Sequence, residues 1–145
     1  DLMPTLLEVI GTEIPTGVDG RARLPLIKVV SQTYRDMVIN AHNENSSGQR
    51  KPMRAVESQH FLYIFNPWSD GKRETFSATI GTKTHKRLRE LAGNNQQIAS
   101  LLNLLQYWVL EELCDIQKDP DCLVNLIADP VYQREIENHR DALEE

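Results

Sequence analysis

Residues 111–130 constrain the fold more than any other stretch, because they set a strand, a reversal and a helix start in immediate succession. Glu111-Glu112-Leu113-Cys114-Asp115-Ile116 reads as a short strand. Asp119-Pro120-Asp121 is turn chemistry: proline presets φ at the second turn position, and aspartates bond back to nearby backbone. Asp129-Pro130 is a helix start, with Asp129 as N-cap and Pro130 at the first helical position, where a missing N–H costs nothing. From Pro130 onward Tyr132, Ile136, His139 or Arg140, and Leu143 recur at helical spacing and give a last amphipathic helix.

The rest of the chain sorts into similar pieces. Leu2, Leu6, Val9 and Ile10 space a short helix over residues 1–10, with Pro4 in its first turn and Gly11 closing it. Pro15, Gly17, Asp19-Gly20 and Pro25 make residues 13–27 a turn-rich connection with no helix, ending in the apolar exit Leu24-Pro25-Leu26-Ile27. Residues 34–41 read as a strand, and the polar residues 42–51, with Ser46-Ser47-Gly48, as an exposed loop. Residues 53–57 and 60–65 form the clearest hairpin, joined at Ser58-Gln59 and stopped by Asn66-Pro67. Residues 84–92 read as a helix capped by Thr82 or Thr84 and closed by Gly93. Residues 96–105 form another, with Ile98, Leu101, Leu102 and Leu105 on its inner side. The sum is an α+β domain, a small antiparallel β-sheet with helices packed on one face.

With 145 residues, 40% of them hydrophobic, the chain has the material for one modest domain. Its 16 basic and 21 acidic residues leave −5, which argues against nucleic acid or an anionic membrane as partner. No apolar run approaches a membrane span, and no leader opens the chain. Because Asp1-Leu2-Met3-Pro4 already starts a helix, the expectation is a fragment, whose missing leader says nothing about where the parent resides. Cys114 and Cys122 flank the Asp-Pro-Asp turn. A disulfide is open to them if the two segments approach, but the plainer reading is two small buried thiols. Zinc has no histidine at ligand spacing to support it.

The order of the pieces in residues 111–130 resembles the C-terminal end of the type I sulfatases, with their Glu-Leu-Tyr-Asp-Leu, Asp-Pro, Asn-Leu-Ala, Pro series. Three further stretches resemble that family in the right order. Asp1-Leu2-Met3-Pro4-Thr5-Leu6-Leu7 with Gly11 is similar to the helix after the family's last metal-site loop. Val18-Asp19-Gly20-Arg21 with Leu24-Pro25 is similar to its Leu-Asp-Gly segment, with Arg23 replacing a small or apolar residue. Arg54-Ala55-Val56 and His60-Phe61-Leu62-Tyr63-Ile64 are similar to its hairpin. Pro52-Met53-Arg54-Ala55-Val56 and His60-Phe61 look closest to the heparan N-sulfatases (sulfamidases), as do the long insertion between Phe76 and Tyr107 and the pair Tyr107-Trp108. Cys114 stands where tyrosine is usual, and Val109-Leu110 where a basic residue and proline often stand.

The resemblance implies the C-terminal subdomain of an alkaline-phosphatase-like fold. Residues 1–33 would belong to the edge of a missing catalytic domain, and residues 34–145 to the subdomain that walls one side of the substrate cleft. It implies a parent that hydrolyses sulfate esters or sulfamates on glycosaminoglycan-type sugars, using formylglycine and calcium. Neither cysteine is followed by x-Pro-x-Arg, and no acidic cluster suits a hard cation, so no catalytic or metal residue transfers and the fragment is expected to be inactive. By the same resemblance the parent would be periplasmic, secreted or lysosomal-like. Its partners would be the N-terminal catalytic domain and a sulfated glycan, and an apolar face left bare could dimerise.

Substrate-proximal candidates are Arg54, His60, Trp68, Lys83 and His85. The cations would meet sulfate or carboxylate, and the indole would stack on a sugar. Each has a plainer role: Arg54 bracing the hairpin, His60 as an ordinary strand-start histidine, Trp68 as a core plug, Lys83 and His85 on a solvated basic helix start. His42 and His139 carry no such expectation. The rival to the sulfatase reading is a self-standing interaction module that takes a partner helix in a groove between residues 88 and 105.

Overall fold

The computed structural model describes residues 1–29, 35–44, 50–75 and 79–144. The middle of the expected 42–51 loop, Tyr34 at the head of the first strand, and Phe76 at the start of the insertion lie outside them. The chain divides into two units, Asp1–Asp36 and Met37–Glu145.

In the first unit, helix α1 (Leu2–Val9) buries Pro4 and Thr5. The Thr5 hydroxyl donates to the Asp1 carbonyl at 2.6 Å and accepts the Arg23 N–H at 2.8 Å, tying the helix start to the later loop. Gly11 ends the helix with φ 72°, a left-handed turn that glycine adopts without steric cost. The expectation that residues 13–27 hold no helix needs correction: Leu24–Ile27 make a single turn, α2. Pro25 sits in its first turn, where the absent N–H has no intrahelical partner to lose.

The second unit is a four-stranded antiparallel sheet in the order β1-β2-β3-β4, with β1 Met37–Glu44, β2 Arg50–Ser58, β3 Phe61–Phe65 and β4 Glu111–Asp115. It is the α+β architecture expected. β1 runs past residue 41 into the segment expected to be loop, as far as Glu44, and its pairing shifts between His42 and Glu44. Pro52 lies opposite that irregularity, where a missing ladder donor does least harm. Ser58 closes the β2–β3 turn by accepting the Phe61 N–H on its hydroxyl at 3.1 Å.

Register across the sheet decides what faces what. Val56 pairs with Tyr63 and Tyr63 with Leu113, and these three buried residues share one face. Helix α5 (Gln133–Glu144) lies on that face, contributing Ile136, His139 and Leu143 to the core. The helix is led in by a 3-10 turn, Pro130–Tyr132, whose Asp129 carboxylate accepts the Val131 N–H at 2.9 Å. β4 is an edge strand, and the returning chain covers it. Leu126 N–H donates to Leu113 C=O at 2.8 Å, while Asn125 accepts the Leu113 N–H and donates to Glu111 C=O, both at 3.0 Å.

Helices α3 (Lys83–Ala92) and α4 (Gln96–Gln106) pack on each other between β3 and β4 in the chain. Thr82 caps α3 by accepting the His85 N–H, and Asn95 caps α4 by accepting those of Gln97 and Ile98. Gly93 follows α3 with right-handed φ −61°, so it ends the helix without the left-handed turn seen at Gly11. The inner side expected for α4 is also corrected. Leu102 is buried, but Leu101 and Leu105 are exposed, because in the described residues α3 alone covers so narrow a stripe.

Candidate functional site

The β3–β4 ribbon continues irregularly beyond the sheet. Asn66 N–H bonds to Leu110 C=O at 2.8 Å, Gly71 N–H to Trp108 C=O at 3.0 Å, and Thr75 N–H to Gln106 C=O at 2.6 Å. The Ser69 hydroxyl also donates to the Trp108 carbonyl. This ladder places the aromatic pair Trp68 and Trp108 together, ring centroids 5.6 Å apart, with the Lys51 ammonium 5.1 Å from the Trp68 ring. Cation and indole faces attract through the ring quadrupole. Among the described residues the buried Trp68 Nε1–H has no hydrogen-bond partner.

At the same end of the sheet, on the α5 face, a groove of about 380 Å³ is lined by Arg54, Tyr63, Phe65, Glu111, Arg140, Leu143 and Glu144. Its floor follows from register: Arg54 lies opposite Phe65, and Phe65 opposite Glu111. Glu111 holds Arg140 by two bonds, 2.7 Å from Nε and 2.8 Å from Nη2, and accepts the Tyr63 hydroxyl at 2.5 Å. The Arg140 bonds hold the Glu111 carboxyl below the usual carboxylate range despite its partial burial, and the Tyr63 bond adds to them. Burial, then the bond to Glu111, pushes the Tyr63 phenol up to about 12. Arg54 is placed differently. Its guanidinium donates to Asn43 Oδ1 at 2.9 Å and to the Met53 carbonyl at 2.8 Å, and among the described residues it has no ion-pair partner. Among the described residues the groove therefore carries a cation bound only to neutral groups, beside an ion pair whose carboxylate is already saturated, with the Glu144 carboxylate at its rim. Such a surface suits an anionic group attached to a compact body that rests on Phe65 and Leu143.

Of the sequence candidates, Arg54 and Trp68 share this end of the sheet. His60 sits exposed in the β2–β3 turn at the other end, about 15 Å away along β3. Lys83 is exposed at the first position of α3. His85 is turned inward, with Nε2 3.2 Å from Gln106 Nε2, which donates to Glu74 Oε1 at 2.9 Å. This is a buried polar knot and not a solvent-facing contact. Of the five, Arg54 alone lines the groove. Tyr63, Glu111 and Arg140 escaped sequence reasoning, because they come from a strand, another strand and a helix with no short-range spacing to mark them. The nearest signal was Arg140 at a helical position that would otherwise face the core. Among the described residues no three His, Cys, Asp or Glu side chains are placed to hold a metal ion.

No family model and no curated protein matches the chain. Solved structures do. A chain described as a sulfatase from Bacteroides thetaiotaomicron, solved at 2.40 Å, superposes with a TM-score of 0.63 at 22% identity, covering 99% of this chain and 23% of that one. A 2-O GAG sulfatase gives the same TM-score, identity and coverage. A third chain, solved with its substrate D-glucosamine-2-N,6-O-disulfate, gives 0.64 at 16% identity, covering 99% of this chain and 22% of that one. The chain thus spans less than a quarter of the proteins it resembles, and what it shares with them at this identity is a fold.

Proposed function

We propose that this chain is the C-terminal portion of a sulfatase, the part that walls one side of the substrate cleft beside a catalytic domain. On this reading the nucleophile and the calcium ligands belong to that catalytic domain. The observation that carries this reading is the match of nearly the whole chain to two sulfatases and to a chain solved with a sulfated glucosamine as its substrate, joined to four family-like motifs in the family's order. The hairpin Pro52-Met53-Arg54-Ala55-Val56 with His60-Phe61 favours the sulfamidase branch, and hence N-sulfated glucosamine as the substrate unit. Formylglycine and calcium, supplied by the catalytic domain, would provide the nucleophile and the charge that binds sulfate. The part left to this chain is to hold the sugar. Arg54 offers an anion contact, and Trp68 an aromatic face. The parent is proposed to act in an exported or lysosome-like compartment.

The test is sulfate release by the full-length parent from glucosamine N-sulfate, compared with 2-O- and 6-O-sulfated sugars. The expected result is release from the N-sulfated sugar, none from the 145-residue chain alone, and a raised KM with little change in kcat for Arg54→Ala in the parent. Preference for an O-sulfated sugar would remove the branch assignment and keep the family. Failure of the parent on every sulfated sugar would remove both. The interaction-module reading draws on Leu101, Leu104 and Leu105, exposed along α4. In a sulfatase the same leucines would be covered by the rest of the chain.

A further inference from the structure

The chain after β4 turns back on itself under tight control. Asp115 accepts the N–H groups of Gln117 and Lys118 on its carboxylate and that of Asp119 on its carbonyl. Asp119 then accepts Cys122 N–H on its carbonyl at 3.0 Å and Val124 N–H on its carboxylate at 2.8 Å. Two residues further on, Asn125 and Leu126 dock on the outer edge of β4. Cys122 stands at the hinge of this return with φ 50°, a left-handed conformation that a non-glycine residue adopts at a cost. Cys114 is buried on β4, on the sheet face away from α5. The reversal brings Cys122 near enough to Cys114 to act on its thiol.

Both cysteines are free thiols in the structure. We propose that Cys114 and Cys122 are the two halves of a disulfide that staples the returning segment to the edge of the sheet. The placement favours it on three counts. The Asp119–Asp115 and Leu126–Leu113 backbone bonds hold the two cysteines on facing segments of one tight reversal, so closure needs little backbone movement. The half-buried Cys122 gives an oxidant access to one sulfur, while Cys114 is shielded from attack. And a single side chain, Asn125, with one backbone bond from Leu126, otherwise secures this stretch of the edge among the described residues. Burial and the neighbouring Cys122, Glu112 and Asp119 also push the Cys114 thiol up, which makes it a poor leaving group and the closed bond slow to reduce.

Closure needs a disulfide oxidant, for which oxidised glutathione serves. The Cys122 thiolate attacks one of its sulfurs, the glutathione S–S bond breaks, and one glutathione thiolate leaves. Cys114 then gives up its proton and its sulfur attacks Cys122 Sγ, expelling the second glutathione. Two protein thiols lose two protons and two electrons, and one glutathione disulfide becomes two thiols.

The native chain is incubated in a glutathione redox buffer, unfolded, alkylated and weighed. The expected product is two hydrogens lighter than the reduced chain and carries no alkyl group. Lys118 lies between the cysteines, so tryptic cleavage there gives two peptides that stay joined until dithiothreitol is added. The oxidised chain should melt roughly 5–10 °C above the reduced one, since a short loop has been closed in the unfolded state. Cys114→Ser and Cys122→Ser should each show no rise. Four outcomes would overturn the proposal: two alkylated thiols after oxidation, arrest at a glutathione adduct, a bond between two chains, or closure that leaves the melting temperature unchanged or lower. The mass readout on the unmodified sequence stands even if a serine variant fails to fold.

Discussion

Tyr63, Glu111 and Arg140 behave as one unit, and pH separates their contributions. The phenol of Tyr63, 2% exposed, is pushed up to about 12 in the folded chain against 10.0 for an ordinary tyrosine. The folded state therefore holds that proton more tightly. The stability it gives is complete below pH 10 and is lost as pH rises through 12, about 2–3 kcal/mol in all. Tyr63→Phe should lower stability at pH 8, and its unfolding free energy should fall less than that of the unmodified chain between pH 10 and 12, measured by urea titration at each pH. Glu111 works with the opposite sign. Its carboxyl is depressed from 4.5, so its contribution is present above that pH and fades below it. Arg140→Met removes this acid-side slope. The Arg140 side chain is 42% exposed, so solvent screening limits the expected loss at neutral pH to about 1 kcal/mol. None of this was legible in the sequence, because the partners lie 29 and 48 positions apart in the chain. Asp129 was legible, since an N-cap acts on an amide two residues away.

Elements were readable where their signal is local. The β2–β3 hairpin, β4 and the Asp129-Pro130 helix start follow from strand formers, turn residues and caps that act over a few positions. The misread pieces fail for a physical reason each. α2 is one turn long, too short for a periodic pattern to register. β1 continues through polar residues because pairing with β2, not burial, holds its exposed end. α4 is apolar on more sides than α3 can cover, so periodicity could not say which leucines face in. The cover on β4 is the element-scale feature most open to test. Asn125 accepts from Leu113 and Ile127 and donates to Glu111, so one side chain satisfies both the edge strand and the turn that follows it. Asn125→Ala leaves those groups without their partner and should cost about 2 kcal/mol. Asn125→Asp keeps the acceptor and should recover part of it. Chemical denaturation of the two variants side by side distinguishes a hydrogen-bonding role from a packing one.

At the scale of the whole molecule, the two units differ in how much they bury. Met37–Glu145 holds every fully buried large side chain among the described residues, from Val56 and Tyr63 to Ile136 and His139. Among the described residues of Asp1–Asp36 only Pro4 and Thr5 of α1 are buried, while Leu2 is 75% and Ile10 69% exposed. A helix of eight residues gains little from propensity alone and depends on an apolar face being covered. Opening free energies should therefore be graded along the chain. Amides of β2, β3 and β4 should exchange with deuterium only on global unfolding, and those of α1 should exchange at least about 100-fold faster through local fraying. Native-state exchange followed by mass spectrometry reads both in one experiment. Protection of α1 equal to that of the sheet would mean that its leucines are covered in solution, by self-association of the chain. Repeating the exchange at tenfold lower protein concentration tells the two cases apart, since cover by a second copy is lost on dilution and intrinsic protection is not.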